Sequence, residues 1–298
     1  MNILYEKDEY GGTYCRIKMP EKKSRFEVPT GEIADIDAFC CSYRNEPFFM
    51  DSTAGTEIND IPKETQWLGV RHSSGEYSVY FSMVYGLFRT TFQGKNNRLT
   101  VTAITGDSNT RGDEFYAYYK ITGHDFYELV RRAARSVSEK TGVVLRENKE
   151  EPEFIKDFGW CTWDSFYAEV TGNDIIKGLQ NFRDGGFVPK LLILDDGWQT
   201  IKESSEKRGQ WKLSAFCAND KFEGGLSNTV SRVKDEFGID KFFVWHAVMG
   251  YWGGVDTDSP DMQKYKPSLS VAEHPQEIQE VHPKTRESTH YKYRTQAN

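Results

Sequence analysis

The sequence lacks the features that mark membrane-bound and nucleic-acid-binding proteins. No apolar run approaches the roughly 20 consecutive residues that cross a bilayer, and residues 1–8 lack the apolar segment of a secretory signal. Lys and Arg number 38 against 45 Asp and Glu, which gives a net charge of -7. Because nucleic acids and acidic membranes attract basic surfaces, we expect neither as a partner.

Cysteine and histidine are too sparse and too scattered to predict a metal centre. The five cysteines are odd in number and have no metal-ligand spacing: Cys15, Cys40, Cys41, Cys161 and Cys217. The six histidines contain no His-Glu-x-x-His pattern, and the glycine pairs form no dinucleotide-binding fingerprint. These absences predict reduced thiols in a cytoplasmic protein without a zinc site.

Aromatic residues are abundant, at 14% of the chain, and the N-terminal half carries β-strand patterns. Residues 77–83 are rich in β-branched and aromatic types, and residues 99–104 alternate apolar side chains with Thr. Breaks rich in Gly and Asn separate these segments. Sheets that bury aromatic rings account for part of the aromatic content. The pattern predicts an antiparallel β-sandwich.

A helix and a charged segment follow the predicted strands. Asp125 as N-cap with Glu128 three residues on resembles a capping box, and Gly142 is a suitable C-terminal stop. Apolar residues recur between them at helical spacing: Leu129, Ala133 and Val137. Residues 146–157 are charged and contain a proline, which is typical of a linker. We therefore expect a β-sandwich domain with a trailing helix over residues 1–145.

From residue 158 the pattern changes to alternating strands and helices. Three apolar segments read as strands, namely residues 158–164, 190–194 and 241–247. Residues 173–183 are predicted as a helix, and a long polar loop leads to a second helix that stops at Gly238. Strands joined through helices by right-handed crossovers form a parallel sheet.

The predicted parallel sheet is shorter than a complete barrel. A closed (β/α)8 TIM barrel takes about 250 residues, whereas residues 158–298 hold three βα units and a polar tail after Gly254. The fold expected from the sequence is an N-terminal antiparallel β-sandwich followed by the first part of a (β/α)8 TIM barrel.

Asp195 and Asp196 directly follow the apolar strand Leu191 to Leu194, and Gly197 comes next. Ligands bind at the carboxyl ends of parallel strands, and two adjacent carboxylates repel each other unless each has a partner. Aromatic residues follow the same strand ends. Flat apolar rings and carboxylates suit a sugar, because rings cover its C–H face and carboxylates accept its hydroxyls. The candidate site comprises Asp195, Asp196, Trp160, Trp163, Trp198, Trp245, His246 and Trp252.

A structural role competes with the binding role for several of these residues. Trp160 and Trp245 each lie in or next to an apolar segment, where an indole more often belongs to the core. His246 follows an apolar strand, and a structural histidine explains it equally well. Cys161 is interpreted as a small buried core residue and not as a nucleophile.

At these residues the chain resembles the raffinose synthase and alkaline α-galactosidase (seed imbibition protein) family, within glycoside hydrolase family 36. The resemblance covers roughly residues 45 to 267. Its matching blocks are residues 47–50, 61–66, 158–164, 194–199, 216, 218–219, 221–222, 244–247 and 250–254. It implies an enzyme with a β-sandwich and a (β/α)8 barrel that acts on raffinose-type α-galactosides without a metal or organic cofactor. It also implies that Asp195 and Asp196 hold galactose hydroxyls and that Trp163 lines the galactose subsite.

The same resemblance implies a retaining mechanism, which requires two carboxylates about 5–5.5 Å apart. The nucleophile is expected in a Lys-x-Asp motif after a fourth strand, with the acid/base further on. We expect both beyond residue 298, so no residue of this sequence is assigned as catalytic, and the chain is expected to be an N-terminal fragment that is inactive alone. Two alternatives stay open: a non-catalytic galactoside-binding or regulatory module, and a remnant that folds only in its β-sandwich.

Overall fold

The computed structural model describes residues 1–31, 33–46, 49–205 and 208–268, with the side chains of residues 46 and 49 excepted. The polar tail predicted after Gly254 lies beyond residue 268 for most of its length, outside the described residues. The chain forms two compact units, one over Met1–Lys149 and a second that begins at Glu150. Among the described helices, none has both the length and the apolar character needed to cross a membrane.

The first unit is built on antiparallel strands joined in one hydrogen-bonded sheet. They are β1 (Asn2–Lys7), β2 (Thr13–Lys23), β3 (Arg25–Gly31), β4 (Ile36–Glu46), β5 (Phe49–Gly55), β6 (Thr65–His72), β7 (Tyr77–Ser82), β8 (Val84–Tyr85), β9 (Phe88–Lys95), β10 (Arg98–Ile104) and β11 (Gly112–Gly123). The main order is β1-β2-β11-β7-β6-β9-β10-β3, while β4 pairs with β5 and β6, and β8 pairs with β9. The strands predicted at residues 77–83 and 99–104 are confirmed as β7 and β10.

The sheet of the first unit buries side chains on both faces. In β7, Val79 packs into one apolar cluster and Tyr80 into another, and in β11 Tyr118 and Tyr119 divide in the same way. This division follows from the two-residue period of a strand. One face is covered by α1 (Phe126–Thr141), which packs Leu129 and Ala133 against Val79 and Tyr119.

The predicted ends of α1 are confirmed. The Asp125 side chain accepts the backbone N–H of Glu128, and Gly142 adopts the left-handed conformation at φ 74°. Short 3-10 turns lie at Ile58–Asp60, Arg146–Asn148 and Glu153–Lys156, so two of them fall within the charged segment 146–157.

The second unit contains a three-stranded parallel sheet with helices packed against it. Its elements are β12 (Gly159–Cys161), α2 (Trp163–Phe166), α3 (Gly172–Asp184), β13 (Leu191–Leu194), β14 (Gln199–Glu203), β15 (Trp211–Ala218), α4 (Gly225–Phe237) and β16 (Lys241–Val244), with 3-10 turns at Tyr167–Glu169 and Gln263–Ser268. The order is β12-β13-β16, so β13 is central. The core joins Leu192 and Leu194 of β13 to Ile175 and Leu179 of α3 and to Val233 of α4.

The predicted strands and helices of this unit are present with shorter strands. The first strand stops at Cys161, because Trp163 already begins α2, and the third stops at Val244. Helix α3 begins with a capping box between Thr171 and Asp174.

The polar loop predicted between β13 and α4 is in fact an antiparallel hairpin of β14 and β15. Its pairing is interrupted by irregularities at residues 199–201. Most strands in the described residues therefore pair antiparallel, and the parallel sheet is confined to β12, β13 and β16.

Candidate functional site

The carboxyl ends of the three parallel strands are held together beyond the strands themselves. The Thr162 N–H donates to the carbonyl of Ile193 at 3.1 Å, and the Trp245 N–H donates to that of Leu194 at 2.7 Å. The Asp195 N–H donates to the buried hydroxyl of Thr162 at 3.0 Å. Asp195 and Asp196 therefore leave the sheet at a point that both neighbouring strands support.

Asp195 is partly exposed, and one side chain, a weak hydrogen-bond donor, contacts its carboxylate. Its Oδ1 accepts the backbone N–H of Asp196 at 2.7 Å, and its Oδ2 accepts the thiol of Cys161 at 3.1 Å. A thiol is a weak donor, so a sugar hydroxyl can replace it at little cost. This carboxylate has the character of a ligand-binding group.

The sequence interpretation of Cys161 as a buried core residue is wrong, because Cys161 is exposed. Partial loss of water around the sulfur, together with the neighbouring Asp195 carboxylate, raises the pKa of the Cys161 thiol above its ordinary value. The thiol is thereby kept protonated as a donor to Asp195.

Asp196 is only 8% exposed and is surrounded by donors from the chain. The Tyr251 hydroxyl lies 2.9 Å from both carboxylate oxygens, and the Gly197 N–H donates to Oδ1 at 2.7 Å. The indole N–H of Trp252 lies 3.4 Å from Oδ2. Burial, with the acceptor Asp196, raises the pKa of the Tyr251 phenol, which keeps its proton available for this contact.

Gly197 is required where the chain turns away from the two carboxylates. Its φ of 109° is rarely open to residues with a side chain, and a Cβ there would lie 2.4 Å from the carbonyl oxygen of Ala168. The glycine thus allows the loop after β12 to pack directly on the end of β13.

The tryptophans predicted for the site divide into exposed and packed groups. Trp252 and Trp163 are 54% and 38% exposed, as sugar-facing rings need to be. Trp198 is buried and donates its indole N–H to the carbonyl of Trp245 at 2.9 Å. Trp160 packs among core residues, with its ring 5.4 Å from that of Phe182.

Trp245 and His246 follow β16 and reach different neighbours. The ring of Trp245 lies 5.9 Å from that of Tyr251 and 5.6 Å from that of Trp252. His246 is exposed, and its Nδ1 lies 2.7 Å from the side-chain amide nitrogen of Gln199. Gln199 itself is only 2% exposed. The structure thus brings Asp196, Trp245 and Trp252 into one cluster and places His246 on a separate contact with the hairpin.

The sequence pattern includes Tyr251 among the aromatic residues at the strand ends without giving it a specific role, and it indicates no role for Thr162 and Gln199. Their types are common in sheets and turns, and only the fold shows that each fixes a candidate residue. The Gly-Tyr-Trp-Gly-Gly block at residues 250–254 was the one available signal for Tyr251. Across residues 1–31, 33–46, 49–205 and 208–268, no three His, Cys, Asp or Glu side chains are placed to hold a metal ion.

Comparison with known proteins assigns the family. Residues 2–287 match the family described as raffinose synthase or seed imbibition protein Sip1, and the chain belongs to that family. The resemblance found in the sequence is thereby confirmed.

Individual relatives agree with this assignment. Probable galactinol--sucrose galactosyltransferase 6 of Arabidopsis thaliana is 31% identical over 277 residues, covering 82% of this chain and 37% of that protein. Galactinol--sucrose galactosyltransferase of Oryza sativa subsp. japonica is 30% identical over 286 residues, covering 86% of this chain and 36% of that protein. The chain thus spans less than two-fifths of the length of these curated relatives.

One solved structure supports the fold. The α-galactosidase TtGalA of Thermus thermophilus, solved in complex with stachyose, aligns with a TM-score of 0.50 at 15% identity. The alignment covers 95% of this chain and 59% of that one. At this identity the likeness concerns the fold alone.

Proposed function

We propose that this chain is part of an enzyme acting on raffinose-type α-galactosides, either a galactosyltransferase or an α-galactosidase-like hydrolase. The observation that carries the proposal is the Asp195 and Asp196 pair at the end of β13, with an exposed indole bonded to Asp196. Family membership and the activity for which the relatives are named supply the substrate class.

The finer architecture belongs to the same proposal. We take residues 1–145 as a β-sandwich domain with its trailing helix, residues 146–157 as a linker, and residues from 158 on as the first units of a (β/α)8 barrel. The parallel order β12-β13-β16 is what supports the barrel, because right-handed βα units generate such a sheet.

In this proposal the chain binds galactose and orients it. Asp195 accepts sugar hydroxyls in place of the Cys161 thiol, and Asp196 accepts a further hydroxyl beside its existing donors. The exposed rings of Trp163 and Trp252 cover the apolar face of the sugar. Trp245 and His246 border the pocket, and Trp160 and Trp198 support it from the packed side.

The reaction class follows from the family and not from the described residues. A retaining transfer needs a nucleophilic carboxylate and an acid/base about 5–5.5 Å apart, and we assign neither role to Asp195 or Asp196. Their place in such a reaction is to fix the galactose ring so that its anomeric carbon faces the reacting groups.

The proposal is tested by epimer discrimination in solution. Methyl α-galactoside and methyl α-glucoside differ only in the configuration of the hydroxyl at C4. Each is titrated separately into the 298-residue chain by calorimetry. We expect tighter binding of the galactoside, and we expect Asp195→Asn to weaken it by about tenfold or more, since a hydrogen bond to a charged group contributes about 1.5–3 kcal/mol.

A matched control is Asp184→Asn, which neutralises an exposed carboxylate at the end of α3, next to the opposite edge of the sheet. It should bind the galactoside like the wild type. Equal affinity for the two glycosides, or no effect of Asp195→Asn, would overturn the proposal.

A further inference from the structure

Tyr251 joins two parts of the second unit through one hydroxyl group. Its ring is buried with Leu213 and Met262, in a cluster distinct from the core between the sheet and the helices. Its hydroxyl leaves that cluster and lies 2.9 Å from both oxygens of Asp196. The contact therefore ties the loop after β16 to the end of β13.

The neighbouring residue uses the same carboxylate. The Trp252 indole N–H lies 3.4 Å from Asp196 Oδ2, which is a long contact and thus a weak one on its own. The ring of Trp245 lies within 6 Å of both the Tyr251 and Trp252 rings. The indole of Trp252 is 54% exposed, and Asp196 and Trp245 are among the groups that hold it.

The carboxylate plane of Asp196 decides where Oδ2 points. The Gly197 N–H holds Oδ1 at 2.7 Å, whereas Oδ2 accepts the long Trp252 contact. The Tyr251 hydroxyl lies 2.9 Å from both oxygens, so it opposes rotation about the Cβ–Cγ bond in either direction. Loss of that hydroxyl removes a 2.9 Å contact from Oδ2 and so loosens the acceptor of the Trp252 indole.

We propose that Tyr251 is a positioning residue of the carbohydrate site, which acts through Asp196 to hold the Trp252 ring in its sugar-facing direction. The inference rests on the proposed function and adds a role for a residue that need not touch the sugar. A ring held in place before binding saves the ordering cost that a mobile side chain incurs.

The test uses Tyr251→Phe in the 298-residue chain, which retains the buried ring and removes the hydroxyl. Methyl α-galactoside affinity is measured by calorimetry, and the indole N–H resonance of Trp252 is followed in ¹⁵N-labelled protein, assigned with Trp252→Phe. We expect affinity to fall several-fold, up to about tenfold, because the loosened indole must then be ordered when the sugar binds. We also expect the Trp252 resonance to shift before any sugar is added.

The matched control is Tyr119→Phe in the first unit. Tyr119 is fully buried and donates to the Asp8 carboxylate at 2.9 Å, so the variant removes the same kind of bond at a comparable cost in stability. It should leave both the galactoside affinity and the Trp252 resonance unchanged.

The outcomes separate this inference from the proposed function. If the wild type binds the galactoside and Asp195→Asn does not, but Tyr251→Phe binds normally or leaves the Trp252 resonance in place, the positioning role is wrong and the proposed function stands. If the wild type does not distinguish the galactoside from the glucoside, the proposed function fails and the positioning role fails with it.

Discussion

The hydroxyl of Thr162 accepts the backbone N–H of Asp195 at 3.0 Å, so a side chain from the end of β12 completes the hydrogen bonding of β13. Thr162 is fully buried, and water is therefore excluded as an alternative partner. The position of Asp195, a candidate sugar-binding residue, therefore depends on Thr162 at the neighbouring strand end.

Thr162→Val tests this dependence. Valine keeps the shape and removes the acceptor, so we expect the free energy of unfolding to fall by about 1–3 kcal/mol, the cost of a buried unpaired N–H. Methyl α-galactoside affinity should fall as well. Thr90→Val is the control, because the buried Thr90 hydroxyl accepts the Met83 N–H at 2.8 Å in the first unit. Equal galactoside affinities for the two variants would contradict the prediction.

Gly197→Ala should be among the most destabilising small substitutions in the second unit. It combines a φ of 109° with a Cβ placed 2.4 Å from a backbone oxygen, and we expect a loss of about 3 kcal/mol in urea unfolding. Gly186→Ala is the comparison, because Gly186 has a φ of 83° and open space around its Cβ. It should cost only about 1 kcal/mol. Similar losses for both variants would show that the Ala168 contact is not tight.

Alkylation of Cys161 reports the charge beside it. Partial loss of water around the sulfur and the Asp195 carboxylate raise the pKa of the thiol, so little thiolate is present at pH 8. Removing the charge with Asp195→Asn lowers that pKa, and iodoacetamide should modify Cys161 several-fold faster. Peptide mass mapping gives the rate, with the exposed Cys217 as internal reference. An unchanged ratio of the two rates would refute the contact.

Asp157 should make stability depend on pH at the acidic end. The Lys241 ammonium at 2.6 Å, with Lys190 at 3.6 Å, lowers the pKa of the Asp157 carboxyl. Its contribution to stability is therefore fully present above the unfolded-state pKa, near 3.9, and is lost as the pH falls through the lower folded-state value. Asp157→Asn should lower the urea midpoint at pH 7 and differ less from the wild type as the pH falls below about 3. A difference independent of pH would contradict this.

Local signals in the sequence predict helices α1, α3 and α4 and the central strand, but not the short helix α2. Asp125 and Gly142 bound α1 because capping is decided within one turn of the chain. Leu191–Leu194 was predicted because a strand covered on both faces must be apolar throughout. The clustering of Asp196 with Trp245 and Trp252 also followed, since the ends of parallel strands meet at one edge.

Other features depended on contacts between distant segments. The segment of the β14 and β15 hairpin is polar, so its sequence predicts a loop, and its irregular pairing appears only in the structure. The apolar surroundings of Cys161 predict a buried residue, since composition does not show that β12 ends at that position. The sequence does not show the contact of Tyr251 with Asp196, because the two residues lie 55 positions apart.

The hydrogen bonds that continue past β13 on both sides have a consequence for binding. The carbonyls of Leu194 and Ile193 accept the N–H groups of Trp245 and Thr162. The backbone that leads into the two aspartates is therefore already ordered in the unliganded chain. Binding of a sugar there would cost this backbone little further conformational entropy. Its binding would therefore be expected to reflect the quality of its own hydrogen bonds and ring contacts more than any ordering of the protein.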